Sequence, residues 1–125
     1  MILLDTHSLI WLARDPSKLS KAAREAIQSG GLAISAMTLW ELAWLATHGR
    51  LNLKAPVDDF IEGLTSRTAI RPITPRIAIL ANQFPPTYPN DPCDRLIGAT
   101  ALAEGIPLVT KDRSIRRSKQ IKTIW

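Results

Sequence analysis

Apolar residues along this chain switch between two spacings. Met1-Ile2-Leu3-Leu4 is a continuous run that stops at Asp5, the pattern of a parallel strand buried on both faces. From Thr6 to about Arg14 the spacing turns helical, and Asp15-Pro16 ends it. Leu19 to Ile27 repeats the helical spacing as a surface helix, with Ser20 available as N-cap and Gly30-Gly31 as the stop. Leu32 to Ser35 predicts a second short strand. Thr38 to about His48 predicts a helix that is apolar almost all round, hence at least partly buried, and that ends at Gly49.

The second half continues the alternation. Pro56 precedes a short amphipathic helix, Val57 to Leu64, and Ile70 to Ile73 gives a weak third strand. Pro75 opens a helix through Gln83, and Phe84 to Asn90, with three prolines, reads as a loop. Asp91-Pro92 announces a helix with Asp as N-cap and Pro at the first helical position, running to Gly105. Pro107 to Thr110 is a strand, and Ile121 to Ile124 a short last one. Strands alternating with helices predict an α/β fold of three layers, α/β/α, around a mostly parallel sheet of four or five strands. At 125 residues one domain over 1–125 is expected.

Composition narrows the chemistry. A single cysteine, Cys93, excludes an internal disulfide and a Cys-based zinc site, which fits a reducing compartment. The apolar N-terminus lacks a basic leader and contains Asp5 and His7, and no run approaches the roughly 20 apolar residues of a membrane span. A soluble, cytoplasmic protein is expected. Gly-rich phosphate loops and Ser-His or Cys-His catalytic pairings are absent. The net charge is +5, and removing four site carboxylates leaves +9. An acidic pocket within a basic surface suits a polyanion whose phosphates meet a metal. The densest basic stretch is Lys111, Arg113, Arg116, Arg117, Lys119 and Lys122, which fits a phosphate track and equally a solvated face.

The acids Asp5 and Asp112 fall at or just past strand ends, where α/β sheets bind ligands. Glu41 lies about two turns into the apolar helix, and Asp94 in the first turn of the helix begun by Pro92. If the four meet, like charges at ~4 Å repel by about 4 kcal/mol per pair at an effective dielectric of 20, which a cation relieves. Oxygen ligands without clustered Cys or His select Mg²⁺ or Mn²⁺ over zinc. Each acid also has a plainer reading. Asp5 fits a helix cap, Asp91 fits a cap better than a ligand, Asp94 fits the first turn of a helix dipole, and Asp112 fits a turn. Glu41, with little solvated face around it, is the hardest to dismiss.

Together the segments around these acids resemble the PIN-domain ribonucleases, in particular the VapC-like toxins of type II toxin-antitoxin pairs, over essentially the whole chain. Ile2-Leu3-Leu4-Asp5-Thr6-His7-Ser8-Leu9 looks like the first strand and acid, and Ser35-Ala36-Met37-Thr38-Leu39-Trp40-Glu41-Leu42 like the second motif. Asn90-Asp91-Pro92-Cys93-Asp94-Arg95-Leu96-Ile97-Gly98-Ala99-Thr100-Ala101 resembles the third, and Leu108-Val109-Thr110-Lys111-Asp112 the last. Two departures are Cys93, where the subgroup has an aromatic residue, and Asn90, near a position where relatives often have His. Neither removes a carboxylate.

The resemblance implies a PIN-like fold and a metal-dependent endoribonuclease cutting single-stranded or loop RNA. Asp5 and Asp94 would be the metal ligands, with Glu41 and Asp112 completing the catalytic set directly or through water. Thr6 and Thr110 would bond carboxylates or metal waters, Asp91 would support, and Arg95, Arg113 and Arg116 would contact phosphates. It also implies a cognate antitoxin protein. Trp40 and Trp44, one turn apart, fit the core better than a partner groove or homodimer contact, which they could also line. The alternatives are a free-standing RNA-processing nuclease of the same family and an inactive interaction module. A phospho-acceptor receiver domain fits poorly, because no acidic pair follows the first strand and Glu41 has no role there.

Overall fold

A computed structural model describes all residues, 1–125. Five parallel strands, β1 (Ile2–Leu4), β2 (Leu32–Ser35), β3 (Ala69–Arg71), β4 (Leu108–Val109) and β5 (Thr123–Ile124), form one sheet in the order β3-β2-β1-β4-β5. Seven helices cover it: α1 (Thr6–Arg14), α2 (Lys21–Gln28), α3 (Ala36–Thr47), α4 (Val57–Thr65), α5 (Pro75–Gln83), α6 (Pro92–Glu104) and α7 (Arg113–Ser118). The α/β/α expectation holds, and the sheet is wholly parallel.

Alternation along the strands explains the two cores. Leu3, Ala33 and Leu108 face a cluster completed by Ile77 and Ala81 of α5, Ile97 and Ala101 of α6, and Ile115 of α7. Ile2, Leu4, Ile34 and Val109 face the other side, against Leu9 and Ile10 of α1, Ala23 of α2 and Leu42 of α3. Both faces are apolar, so the strands read as unbroken hydrophobic runs rather than as alternating ones.

Two elements escape the hydrophobic pattern. A 3-10 turn over Pro16–Lys18 follows α1, and α7 forms where only Ile115 is buried. Elsewhere bounds shift by a residue or two; α3 starts at Ala36, capped by the Ser35 hydroxyl, not at Thr38. Its two tryptophans are not core residues, since Trp40 is 56% and Trp44 38% exposed, the latter stacked on His48. No helix is long and apolar enough to cross a membrane.

The chain runs from β1 outward through β2 to β3, then returns to place β4 on the other side of β1. That reversal makes β1/β4 the switch point of the sheet, where the helices leaving the two strands diverge and open a crevice beyond their carboxyl ends.

Candidate active site

At this switch point lies a cavity of about 420 Å³ whose lining includes Asp5, Glu41, Asp91, Asp94 and Asp112. All four expected acids therefore reach one cavity, and Asp91 joins them. They do not form a closed ligand cage, because no three His, Cys, Asp or Glu side chains are gathered to hold a metal.

Three of the five acids double as helix caps. Asp5 Oδ1 accepts from Ser8 N–H at 2.7 Å at the start of α1, and Asp112 Oδ1 accepts from Ile115 N–H at 2.9 Å at the start of α7. Asp91 Oδ1 accepts from Cys93 and Asp94 N–H, at 2.8 and 3.1 Å, at the start of α6. The plainer readings of Asp5 and Asp91 as caps are thus correct, and both carboxylates still line the cavity. Three helix N-termini, each the positive end of a dipole, thus start at acids of its lining, and at α6 Pro92 has no N–H while Asp91 takes those of Cys93 and Asp94. Further bonds fix the assembly. Ser8 Oγ, buried, donates to the Val109 carbonyl at 3.0 Å, tying α1 to β4.

Glu41 and Asp94 have no such backbone donors. Glu41 Oε1 accepts from the Thr6 hydroxyl at 2.7 Å, and that hydroxyl lies 3.2 Å from the one on Thr38. Burial raises the Glu41 pKa, against the Thr6 bond, with Asp91 and Asp5 adding to the rise. Asp94 is pushed up to about 7, first by burial, then by Asp91, Asp112, Glu41 and Asp5. Neither is neutralised by a cationic side chain, since the chain's one ion pair is the surface contact Lys21–Glu25. Its neighbour Cys93 is buried and driven to about 12, chiefly by desolvation, so it is an inert thiol.

Asp94 is also held from below. Tyr88, 1% exposed and stacked on Phe84, donates its hydroxyl to the Asp94 carbonyl at 2.8 Å. The ring fits because position 98 is glycine: a Cβ there would stand 2.0 Å from the Tyr88 oxygen. The Phe84–Asn90 loop is as expected a loop, but one pinned to α6.

The remaining expected residues divide. Thr6 does bond a carboxylate, whereas Thr110 Oγ1 accepts from the backbone N–H of Asp112 at 3.1 Å and so shapes the turn. Arg95, expected at a phosphate, donates to the Ala81 and Phe84 carbonyls and to Asn90 Oδ1, and it is not in the cavity lining. Arg113 and Arg116 stand outside the acidic cavity and line, with Arg117 and Lys119, a basic cleft beside α7. Lys111, the first residue of the basic stretch, lines the acidic cavity, as do His7 and Trp11, which composition and spacing do not mark. The one available signal is position: His7 and Trp11 share a face of a helix that starts at a strand-end acid.

The donor set suits a hard divalent cation. It offers carboxylate oxygens, two of them on groups whose ionisation is resisted by burial and by each other, and it offers no ligating sulfur or paired imidazoles. Mg²⁺ commonly keeps several waters and takes only one or two protein carboxylates, so a lining of this kind could hold it without a preformed cage.

Residues 2–120 match the PIN domain family. The chain is 41% identical over 127 residues to Ribonuclease VapC22 of Mycobacterium tuberculosis, covering 99% of this chain and 98% of that one. In fold it is similar to a DNA-bound VapBC from Salmonella typhimurium, with TM-score 0.74 and 25% identity over 98% of this chain and 97% of that one. It also resembles a chain of a toxin-antitoxin complex from Klebsiella pneumoniae, with TM-score 0.64 and 23% identity over 90% and 87%. With the motifs, the switch-point cavity and these matches in agreement, the chain belongs to the PIN-domain family.

Proposed function

We propose that this chain is a divalent-metal-dependent endoribonuclease that hydrolyses RNA phosphodiester bonds and acts as the toxin of a toxin-antitoxin pair. The observation that carries the reading is the cavity of five carboxylates without an ion-pair partner, at the switch point of a chain otherwise rich in Lys and Arg. The relative named a ribonuclease supports the reaction, and the Salmonella VapBC likeness supports the antitoxin partner.

Asp5 and Asp94 would hold Mg²⁺ or Mn²⁺, and Glu41 and Asp112 would complete the acidic surround directly or through water. The bound ion supplies charge that acidifies a water and offsets the charge developing on phosphoryl oxygens. Glu41, desolvated and steered by the Thr6 hydroxyl, takes the proton of the attacking water. Asp91 fixes the first turn of α6 and thereby the position of Asp94. Thr110 does the same for Asp112 through its backbone. Lys111, the one Lys or Arg in the lining, draws the phosphate inward, while Arg113 and Arg116 meet flanking phosphates along α7. RNA, an antitoxin protein and a second copy of the chain are the proposed partners.

Incubation of the purified chain with single-stranded RNA and Mg²⁺ or Mn²⁺ tests the reaction. Cleavage that chelation abolishes and added metal restores is expected; RNA left intact with either metal would sink the reading. The toxin role is tested by growth. Induced expression is expected to halt cells and co-expression of a cognate antitoxin to rescue them, whereas unimpaired growth with an active enzyme would leave a free-standing nuclease.

A further inference from the structure

One wall of the acidic cavity is chemically unlike the rest. His7 and Trp11, four residues apart and so on one face of α1, line it together with Lys111. They form a continuous cluster: the His7 and Trp11 rings are 5.9 Å apart and tilted by 49°, and Lys111 Nζ sits over the Trp11 ring, 5.7 Å from its centroid, on a face that a base reaches by displacing the ammonium toward its own phosphate. Trp125 adds a second indole on Trp11, at 5.9 Å and 56°. Packing against the α1-side core accounts for the partial burial of Trp11 but not for its presence in a cavity of carboxylates. An indole ligates no metal ion and carries a single N–H donor, so what this wall adds to a cavity of carboxylates is a π face. A single-stranded nucleic acid brings one such face for every phosphate.

We propose that Trp11 is the base platform of this pocket: the base of the nucleotide next to the cleaved phosphate stacks on the indole, and Lys111 meets the adjoining phosphate. The inference rests on the ribonuclease reading and adds to it a residue that sets substrate preference. A base held in a duplex cannot leave its stack to reach Trp11 without unpairing, so the platform selects unpaired RNA.

The test uses the full chain, Mg²⁺ and a randomised pool of short single-stranded RNAs whose new ends are sequenced. Wild type is expected to show a base preference at one position beside the cut. Trp11→Ala is expected to cut about tenfold more slowly and to flatten that preference, while Trp11→Phe keeps both. In the best-cut RNA, an abasic residue at that position is expected to slow wild type about tenfold and to leave Trp11→Ala unaffected. An unchanged base preference in Trp11→Ala overturns the platform. So does an abasic RNA that wild type cuts as fast as the intact one, a measurement that needs no variant to fold. If wild type cuts nothing in the pool, the ribonuclease reading itself fails and takes the platform with it.

Discussion

The acidic cavity and the basic cleft meet at α7, whose first residue follows Asp112 and whose body carries Arg116 and Arg117. They are built by opposite means. Asp5, Asp91 and Asp112 are fixed by backbone N–H groups, Glu41 by Thr6, and Asp94 by its place in the first turn of α6. The arginines of the cleft project on long side chains with no carboxylate within bonding distance. Fixed, desolvated charges can direct chemistry at one bond, whereas mobile, hydrated ones supply a field that attracts a chain of phosphates without choosing among them. The contrast between a placed site and a diffuse field is open to direct attack.

The largest expected effect is on the placed side. Asp94→Asn should lower RNA cleavage by about 10³-fold, measured as initial rate at saturating Mg²⁺. The same variant should be the more stable protein in the absence of metal. Because the Asp94 pKa is raised from 3.8 to about 7 in the folded state, the folded form binds more protons than the unfolded one between those values. Metal-free wild type should therefore lose stability as pH rises through this window and be lowest above it. Thermal melts with chelator from pH 4 to 8 should show that decline in wild type and a flatter curve in Asp94→Asn; parallel curves would refute the frustration of Asp94.

Next in size is the support beneath it. Gly98→Ala puts a methyl where the Tyr88 hydroxyl lies, and Tyr88 is buried and stacked, so it cannot swing away freely. A loss of about 2 kcal/mol is expected in urea melts, with reduced cleavage as the Asp94 turn shifts. Tyr88→Phe, which removes only the hydroxyl, should cost about 1 kcal/mol.

The diffuse side should respond more weakly and in another manner. Arg116→Glu with Arg117→Glu should raise KM by about tenfold at low salt, leave kcat nearly unchanged, and lose its effect as salt rises. A kcat effect that persists in high salt would mean that these arginines are placed after all. The smallest change expected is Ser20→Ala, which removes the hydroxyl that caps α2 far from both regions: about 1 kcal/mol of stability and no change in cleavage.

What could be read from the sequence follows the same division. The apolar runs and helical spacings marked all five strands and six of the seven helices; burial on both faces left a strong signal at the central β1, β2 and β4, and the exposed edge strand β3 left only a weak one. α7 left none: it has one buried residue, Ile115, and exists because Asp112 caps it and Ile115 anchors it to the α6-side core. Strand order was not legible, since β4 and β5 each contribute only two residues and their neighbours are set by crossovers. The four acids were legible as a set, but Thr6 meeting Glu41 across 35 positions, and Arg95 turned to the α5 carbonyls, are products of packing. A helix apolar all round likewise does not say which side stays bare, and so Trp40 and Trp44 were ambiguous until α3 was placed.

The dual use of the capping acids has a consequence for how such a protein would decay. If a copy of this chain were released from selection for activity but not for folding, positions 5, 91 and 112 would stay among Asp, Asn, Ser and Thr, because each caps a helix start and a residue that cannot cap costs about 1 kcal/mol. Asp94 and Glu41 would drift first, Asp94 toward uncharged residues that relieve the crowding. Surviving caps at the starts of α1, α6 and α7 would then be a relic of architecture, and an uncharged residue at position 94 or 41 the earliest mark of a silenced enzyme.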